Sequence, residues 1–127
     1  MIQIYVFDSG ALIAAERGKA RVTRFFRLAR IGRARIVVPL PVIAEWWRGR
    51  SDSREEILAA VEVVGSVAAA QAAGIALANA KHVGASLTVD AFVMATAALL
   101  DGIVVTSDPR DFDRLARHFP RVVVLAV

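Results

Sequence analysis

Short apolar runs without polar alternation constrain the fold of this chain more than any other feature. The clearest are "IQIYVF" at 2–7, "RIVVP" at 35–39 and "IVV" at 103–105, and weaker ones are "VEVV" at 61–64 and "RVVVLAV" at 121–127. A strand with apolar side chains on both faces is covered on both sides, which is typical of a parallel sheet between two layers of helices. The pattern therefore predicts an α/β protein with a three-layer α/β/α fold.

Segments with helical character separate these runs, as parallel strands require. Their limits are predicted from capping residues and glycines. Thr88 is the expected N-cap of one helix, and Asp108, followed by Pro109, is the expected N-cap of the last. The predicted helices cover the segments 9–18, 20–32, 41–49, 53–60, 67–81, 89–102 and 109–119.

Length and composition limit the classes of protein to consider. The 127 residues, 57% of them hydrophobic, suit one domain over 1–127 with a core covered on both faces. The chain has no cysteine, which excludes disulfides and thiolate metal sites. The first residues lack a basic leader, and the alanine-rich stretch 64–80 is too weakly apolar to span a membrane. We expect a soluble, cytoplasmic protein.

The positive charge is concentrated in one segment. The net charge is +4, but residues 17–35 contain eight basic residues and no acid, so the rest of the chain is negative. Such a patch indicates a polyanionic partner, nucleic acid before membrane, although a solvated helix face explains it about as well. Four of its side chains recur on the side of a helix away from an apolar stripe, namely Arg21, Arg24, Arg27 and Arg30.

Two acidic residues stand where strands end. Asp8 follows the first apolar run, and Asp108 follows the fourth. Ligands of parallel sheets bind at the carboxyl ends of the strands, so these carboxylates face each other if the two strands are neighbours. Asp90, in the first turn of the predicted helix 89–102, and Glu45, within an apolar segment, are further candidates. Each of the four also has a purely structural interpretation, as a helix cap, a partner of the helix dipole or a solvated edge.

The types of side chain available indicate which metal such a site would take. Four carboxylates at one edge would repel one another and raise one another's pKa values unless a cation neutralised them. An oxygen-only ligand set suits Mg²⁺ or Mn²⁺. Zinc is disfavoured because cysteine is absent and neither His82 nor His118 adjoins an acidic motif. Thr106 and Ser107, just before Asp108, are either turn hydroxyls or groups that orient Asp108 or a water molecule.

The tryptophan pair is the most conspicuous apolar feature outside the predicted strands. Trp46 and Trp47 point to different sides of a helix, which predicts one core role and one interface role. Together with Phe26, they are candidate exposed contacts for a partner.

Two other α/β classes with an aspartate after the first strand do not fit. Aspartyl-phosphate phosphatases need a second aspartate where this chain has Gly10. Receiver domains need a lysine after the last strand, and the lysines here are Lys19 and Lys81. A phosphoaspartate chemistry is therefore not expected.

Four segments in order carry a resemblance to a known family. "YVFDSGALIA", "VPLPVIAEWWRG", "LTVDAFVMATAA" and "VVTSDPRDFDRLA" resemble the PIN-domain nucleases and, at this size, the toxin ribonucleases of VapBC-type toxin–antitoxin pairs. The resemblance implies a five-stranded, mainly parallel sheet in the order 3-2-1-4-5. It also implies roles for individual residues: Asp8, Glu45, Asp90 and Asp108 as metal ligands, Thr106 as their supporting hydroxyl, and Asp111 as an outer acid. Gly10 departs from the family, whose members often carry serine or asparagine there.

The resemblance also implies a function and partners. It implies a Mg²⁺- or Mn²⁺-dependent endoribonuclease, a small antitoxin protein that covers the metal site, and a homodimer. The basic segment would then follow the RNA backbone. The alternative is a PIN-like module that binds RNA or acts as a scaffold and has lost cleavage.

Overall fold

A computed structural model describes residues 2–81 and 84–127, whose strands form one five-stranded sheet. The strand order is β3-β2-β1-β4-β5, and every neighbouring pair is parallel, which confirms the expected topology. The strands are β1 (Gln3–Phe7), β2 (Ala34–Pro39), β3 (Glu62–Val64), β4 (Ile103–Thr106) and β5 (Val123–Ala126). The helices are α1 (Ser9–Glu16), α2 (Ala20–Arg30), α3 (Leu40–Trp46), α4 (Asp52–Ala60), α5 (Val67–Ala80), α6 (Ala85–Leu100) and α7 (Asp113–Ala116).

The central strands are buried on both faces. Val6 and Phe7 in β1 are fully buried, as are Val104 and Val105 in β4. Because successive strand residues point to opposite faces, both sides of the sheet are covered. The apolar runs therefore lack polar alternation because both faces of the sheet are covered, as the sequence predicts.

The helix before β4 begins earlier than the sequence predicts. The prediction of Thr88 as N-cap is wrong, because α6 begins at Ala85 and Gly84 occupies the cap position. The Thr88 hydroxyl donates to the Gly84 carbonyl at 3.0 Å, a bond to the preceding turn that satisfies it inside the helix. Asp90 consequently lies in the second turn, beyond the free amides of the helix N-terminus.

The segment after β4 is not one helix over 109–119. It forms a 3₁₀ turn, Pro109–Phe112, followed by the single turn of α7. The chain leaves helical geometry before Pro120, which disfavours helical backbone at the residue preceding it. Phe112 and Leu115 are buried and fix this short segment to the core.

The third helix is shorter than the predicted segment 41–49. It begins at Leu40 and ends at Trp46, and Trp47 already has extended backbone. Gly49 lies in the following loop with a φ of +105°, a conformation that favours glycine. The glycine therefore marks the loop and not the helix end.

The two tryptophans differ in burial as predicted, but Trp46 is not an exposed contact. Its ring is only 2% exposed, and its indole N–H donates to Glu16 of α1. Glu16 also accepts from Arg54 of α4 at 3.2 Å. Trp46 thus joins α1, α3 and α4, whereas Trp47 is half-buried.

The basic helix has the predicted two faces. Val22 and Phe25 of α2 are buried, and the Phe25 ring packs against Tyr5 with centroids 4.6 Å apart. The other face exposes Arg21, Arg24, Arg27 and Arg30. The helix leads into β2, whose first residue pairs with Gln3 at the start of β1. The Arg30 end of α2 therefore lies toward the sheet edge opposite Asp8.

Within residues 2–81 and 84–127, no helix is both long enough and apolar enough to cross a membrane.

Replacement of each tryptophan by phenylalanine should separate their roles. Trp46→Phe removes ring volume from the core and leaves a Glu16 carboxylate without one donor, so we expect a loss of at least about 1 kcal/mol in the free energy of unfolding. Trp47→Phe should cost less because its side chain is already partly in water. Urea unfolding of both variants tests this, and equal losses would contradict the packing described.

Candidate active site

The carboxyl ends of β1 and β4 bring two predicted site residues together. Asp8 follows β1, Asp108 follows β4, and the two strands are direct neighbours with Phe7 paired to Val105. Thr106, the last residue of β4, is fully buried between them. Its hydroxyl donates to Asp8 Oδ2 at 2.5 Å and accepts the backbone N–H of Asp108 at 3.1 Å. One side chain therefore fixes both acidic segments.

Asp8 combines a structural and an electrostatic role. Its Oδ1 accepts the backbone N–H of Ala11 at 2.9 Å, so it is the N-cap of α1. The side chain is only 7% exposed. Both oxygen atoms thus have protein donors, and the carboxylate is held rigidly at the sheet edge.

Glu45 reaches the same edge from α3. Its Oε1 accepts from the Ser9 hydroxyl at 2.5 Å. Ser9 directly follows Asp8, so this bond orients Glu45 toward the first aspartate. The role of Ser9 was missed in the sequence, where only its position next to Asp8 marked it.

Asp108 does not have the capping role that its position before Pro109 predicts. Its side chain makes no hydrogen bond to the following turn. Its backbone supplies the local bonds instead, since its N–H donates to Thr106 and its carbonyl accepts from Asp111 N–H at 3.3 Å. The exposed carboxylate is therefore available to a ligand.

Asp90 and Asp111 complete the group of acids. Asp90 projects from α6 and is 9% exposed. Asp111 belongs to the 3₁₀ turn after β4 and is exposed. They line one cavity of about 300 Å³ between α6 and that turn. Asp111, which the sequence indicated only as an outer acid, thus shares a cavity with Asp90.

Burial and like charge raise two pKa values in this group. The pKa of Asp8 rises from 3.8 to about 6, mainly because the carboxyl is buried, with Glu45 and Asp111 adding repulsion against the lowering effect of the Thr106 and Ala11 donors. The pKa of Asp90 rises from 3.8 to about 7, again mainly through burial. Repulsion adds to it from Asp111 first and then from Asp8, Glu45 and Asp108. Mutual repulsion, the cause expected from the sequence, therefore raises these pKa values less than burial does.

The chemistry of these side chains fits a hard divalent cation. All the donors are carboxylate or hydroxyl oxygens, and the charged forms of Asp8 and Asp90 are disfavoured without a compensating positive charge. As the side chains stand, no three acids or histidines in the described parts of the chain enclose a common ion position.

Of the two histidines, the structure places His118 away from this group of acids. His118 lines a different cavity, together with Asp101 and Arg121. His82 lies outside the described residues.

Comparison with known proteins identifies the family and supports the fold. A family model described as the PIN domain matches residues 5–118. No curated protein matches the sequence. Among solved structures, VapBC2 from Rickettsia felis bound to a DNA fragment from its promoter is similar, with 15% identity, a TM-score of 0.73, and 98% of this chain and 99% of that chain covered.

Two further solved structures have the same fold at similarly low sequence identity. DNA-bound VapBC from Salmonella typhimurium has 20% identity and a TM-score of 0.69, with 99% of this chain and 98% of that chain covered. A toxin–antitoxin complex from Klebsiella pneumoniae has 18% identity and a TM-score of 0.69, with 97% and 99% covered. At these identities the likeness establishes the fold.

The raised pKa of Asp90 predicts how its charge affects stability with pH. Because the folded-state pKa of about 7 lies above the unfolded value of 3.8, the folded protein binds more protons between these values, and the Asp90 contribution to stability falls as the pH rises through them. Asp90→Asn removes that loss. Without divalent ions, we expect the variant to exceed the parent in unfolding free energy by an amount that grows from pH 4.5 to 7.5, reaching on the order of 2 kcal/mol after allowance for solvent screening.

Urea unfolding at several pH values with chelator present measures this difference. Asp113→Asn is the matched control, because Asp113 is exposed at the start of α7. It should track the parent at every pH. A difference for Asp90→Asn that does not change with pH would contradict a raised pKa.

Proposed function

The chain belongs to the PIN-domain family, and from that premise we propose that it is a divalent-metal-dependent endoribonuclease and the toxin of a VapBC-type toxin–antitoxin pair acting in the cytoplasm. The observation that carries the proposal is the position of the Thr106 hydroxyl, which hydrogen-bonds to the Asp8 carboxylate and to the Asp108 backbone N–H at one edge of the sheet. The charges of Asp8, Glu45 and Asp108 contribute to the raised pKa of Asp90, so the four acids interact electrostatically. That edge is where parallel sheets bind ligands.

Four carboxylates would hold the metal. We assign Asp8, Glu45, Asp90 and Asp108 as ligands of Mg²⁺ or Mn²⁺, with Asp111 as an outer acid. When bound there, the ion would polarise the scissile phosphate and lower the pKa of the attacking water. Because ligation needs deprotonated carboxylates, the raised pKa values of Asp8 and Asp90 make binding weaken below about pH 7.

The remaining contacts position these ligands. The Thr106 hydroxyl and the Ala11 amide occupy one lone pair on each Asp8 oxygen, which fixes the carboxylate plane and leaves further lone pairs for a cation. The Ser9 hydroxyl holds Glu45 in the same way. Preorganised ligands lose little conformational entropy when the ion binds.

The partners follow from the similar complexes. The similar structures from Rickettsia felis and Salmonella typhimurium are VapBC assemblies, so we propose a small antitoxin protein as the partner of this chain. The homodimer that the sequence resemblance implies is part of the same proposal. Half-buried Phe26 and Trp47 are apolar contacts available to either interface.

RNA is the proposed substrate, and the exposed face of α2 its electrostatic guide. Arg21, Arg24, Arg27 and Arg30 would contact backbone phosphates, which positions RNA without selecting sequence. Because α2 leads away from the acidic residues, these contacts would bind RNA phosphates at a distance from the cleaved bond.

Loss of a single ligand charge should abolish most cleavage while sparing the fold. We expect Asp108→Asn to lower metal-dependent cleavage of single-stranded RNA by on the order of a hundredfold or more, about 2.7 kcal/mol in transition-state stabilisation. Its melting temperature should stay near that of the parent, since the Asp108 side chain caps nothing. Asp8→Asn and Asp90→Asn should lose similar activity.

Asp113→Asn is the control and should cleave like the parent, because Asp113 lies outside the proposed ligand set. Cleavage rates with Mg²⁺ and Mn²⁺ measure the effect. If all three ligand variants keep near-parental activity, the metal assignment is wrong. If the parent binds RNA but does not cleave it with either ion, the alternative of a non-catalytic RNA-binding module is correct.

The role of α2 is tested through salt dependence. Replacing Arg21 and Arg24 by glutamine should weaken RNA binding and lower the slope of log affinity against log salt by roughly one for each lost contact. Folding should survive because Val22 and Phe25 are untouched. An unchanged slope would remove α2 from the RNA path.

A further inference from the structure

The Ser107 hydroxyl lies at the candidate active site but holds no part of the fold together. Ser107 is exposed between Thr106, which is buried and donates to Asp8, and Asp108, whose backbone N–H donates to the Thr106 hydroxyl. The part of the chain that the structure describes supplies no hydrogen-bond partner for the Ser107 side chain. Ser107 is therefore neither a turn hydroxyl nor a group that orients Asp108. Its backbone is fixed on both sides, while its hydroxyl remains able to bind a ligand.

The position of this hydroxyl depends on the missing side chain of Gly10. A Cβ atom on residue 10 would overlap the Ser107 Oγ, so Ser107 projects over the first turn of α1 into space that another residue type would fill. The same Cβ would lie 3.5 Å from Asp8 Oδ1 and 3.5 Å from Ser107 Cβ, which are ordinary van der Waals distances. Only the hydroxyl of Ser107 thus competes with a side chain at residue 10.

The three hydroxyls near Asp8 differ in whether their single proton is available. Thr106 donates to Asp8 Oδ2 at 2.5 Å, and Ser9 donates to Glu45 Oε1 at 2.5 Å. The ionised carboxylates themselves only accept hydrogen bonds. Ser107 is the one of these three hydroxyls whose proton no described group accepts. A ligand that carries acceptor oxygens therefore finds a side-chain donor beside Asp8 in Ser107.

We propose that the Ser107 hydroxyl donates a hydrogen bond to a non-bridging oxygen of the RNA phosphate at the metal site, an inference that rests on the proposed nuclease function. A phosphate bound there still faces several carboxylates, and a hydroxyl attracts it without adding to their charge. Hydrogen bonds to a charged acceptor are stronger than those between neutral groups. The same donor stabilises negative charge that builds on the phosphate oxygens during cleavage. Gly10 serves this role by leaving the space for Ser107 free.

RNA binding without cleavage tests this contact. The probe is a fluorescein-labelled single-stranded RNA of about 12 nucleotides, followed by anisotropy with Ca²⁺ in place of Mg²⁺. For Ser107→Ala we expect roughly tenfold weaker binding, because one hydrogen bond to a charged group is lost. The affinity for Mn²⁺, measured by electron paramagnetic resonance without RNA, should stay near the parental value because Ser107 is not among the proposed metal ligands.

Ser53→Ala is the matched control for removal of a hydroxyl. Ser53 is exposed on α4, beside Arg54, which pairs with Glu16 at the end of α1 away from Asp8. This variant should bind the RNA and Mn²⁺ like the parent. Thermal unfolding of every variant checks that the fold is kept.

Substitution of Gly10 tests whether the two residues act as a pair. Gly10→Ala in the parent forces the Ser107 hydroxyl to turn away, so RNA affinity should fall about as much as in Ser107→Ala. In the Ser107→Ala background the new Cβ meets only ordinary contacts, so it should cause no further loss of affinity. Such non-additivity is expected when two substitutions remove one interaction. Gly10→Ser/Ser107→Ala returns a hydroxyl to this space from α1 and should regain part of the lost affinity.

The outcomes separate the Ser107 contact from the proposed function. Parental RNA affinity in Ser107→Ala, additive losses from Gly10→Ala and Ser107→Ala, or a parent with no RNA affinity under Ca²⁺ would overturn the contact. Weaker Mn²⁺ binding by Ser107→Ala would also overturn it, because Ser107 would then act on the metal. A parent whose RNA binding depends on Ser107 but which cleaves RNA with neither Mg²⁺ nor Mn²⁺ would keep the contact and refute the nuclease.

Discussion

The geometry of the site depends on one hydroxyl group. Thr106 ends β4 in a fully buried position, where its hydroxyl group donates to the Asp8 carboxylate and accepts the backbone N–H of Asp108. These bonds are possible only because β1 and β4 are adjacent and parallel, so that both strands end at the same edge. The sheet order brings together segments about 100 residues apart in sequence and thus holds the Asp8 carboxylate close to the backbone of Asp108.

The same burial that fixes these groups makes their charge unfavourable. Asp8 and Asp90 are nearly closed off from water, and their pKa values of about 6 and about 7 reflect mainly the cost of burying a charge. A fold selected only for stability would avoid this arrangement. Strongly perturbed carboxyls gathered at a ligand-binding edge are characteristic of functional sites.

Much of the fold and two of the acids could be predicted from residue pattern alone. Unalternating apolar runs predict a parallel sheet, and Asp8 and Asp108 follow such runs directly. The position of Asp90 within its helix was harder to predict. The N-cap of α6 is Gly84, and the Thr88 hydroxyl donates to the Gly84 carbonyl from inside the helix. From the sequence alone, such a hydroxyl residue cannot be distinguished from an N-cap. Ser9 and Asp111 depend on contacts between distant segments, which no local pattern encodes.

Direct measurement of Mn²⁺ binding tests most directly whether the acids form one metal site. The electron paramagnetic resonance signal of free Mn²⁺, followed during titration of the protein at pH 7.5, reports bound ion without requiring RNA. The account predicts saturable binding in the parent, loss of that binding in Asp8→Asn, and proton release on binding near pH 6.5, where Asp90 is partly protonated. If the parent protein leaves the signal of free Mn²⁺ unchanged throughout the titration, the account of a shared metal site is contradicted.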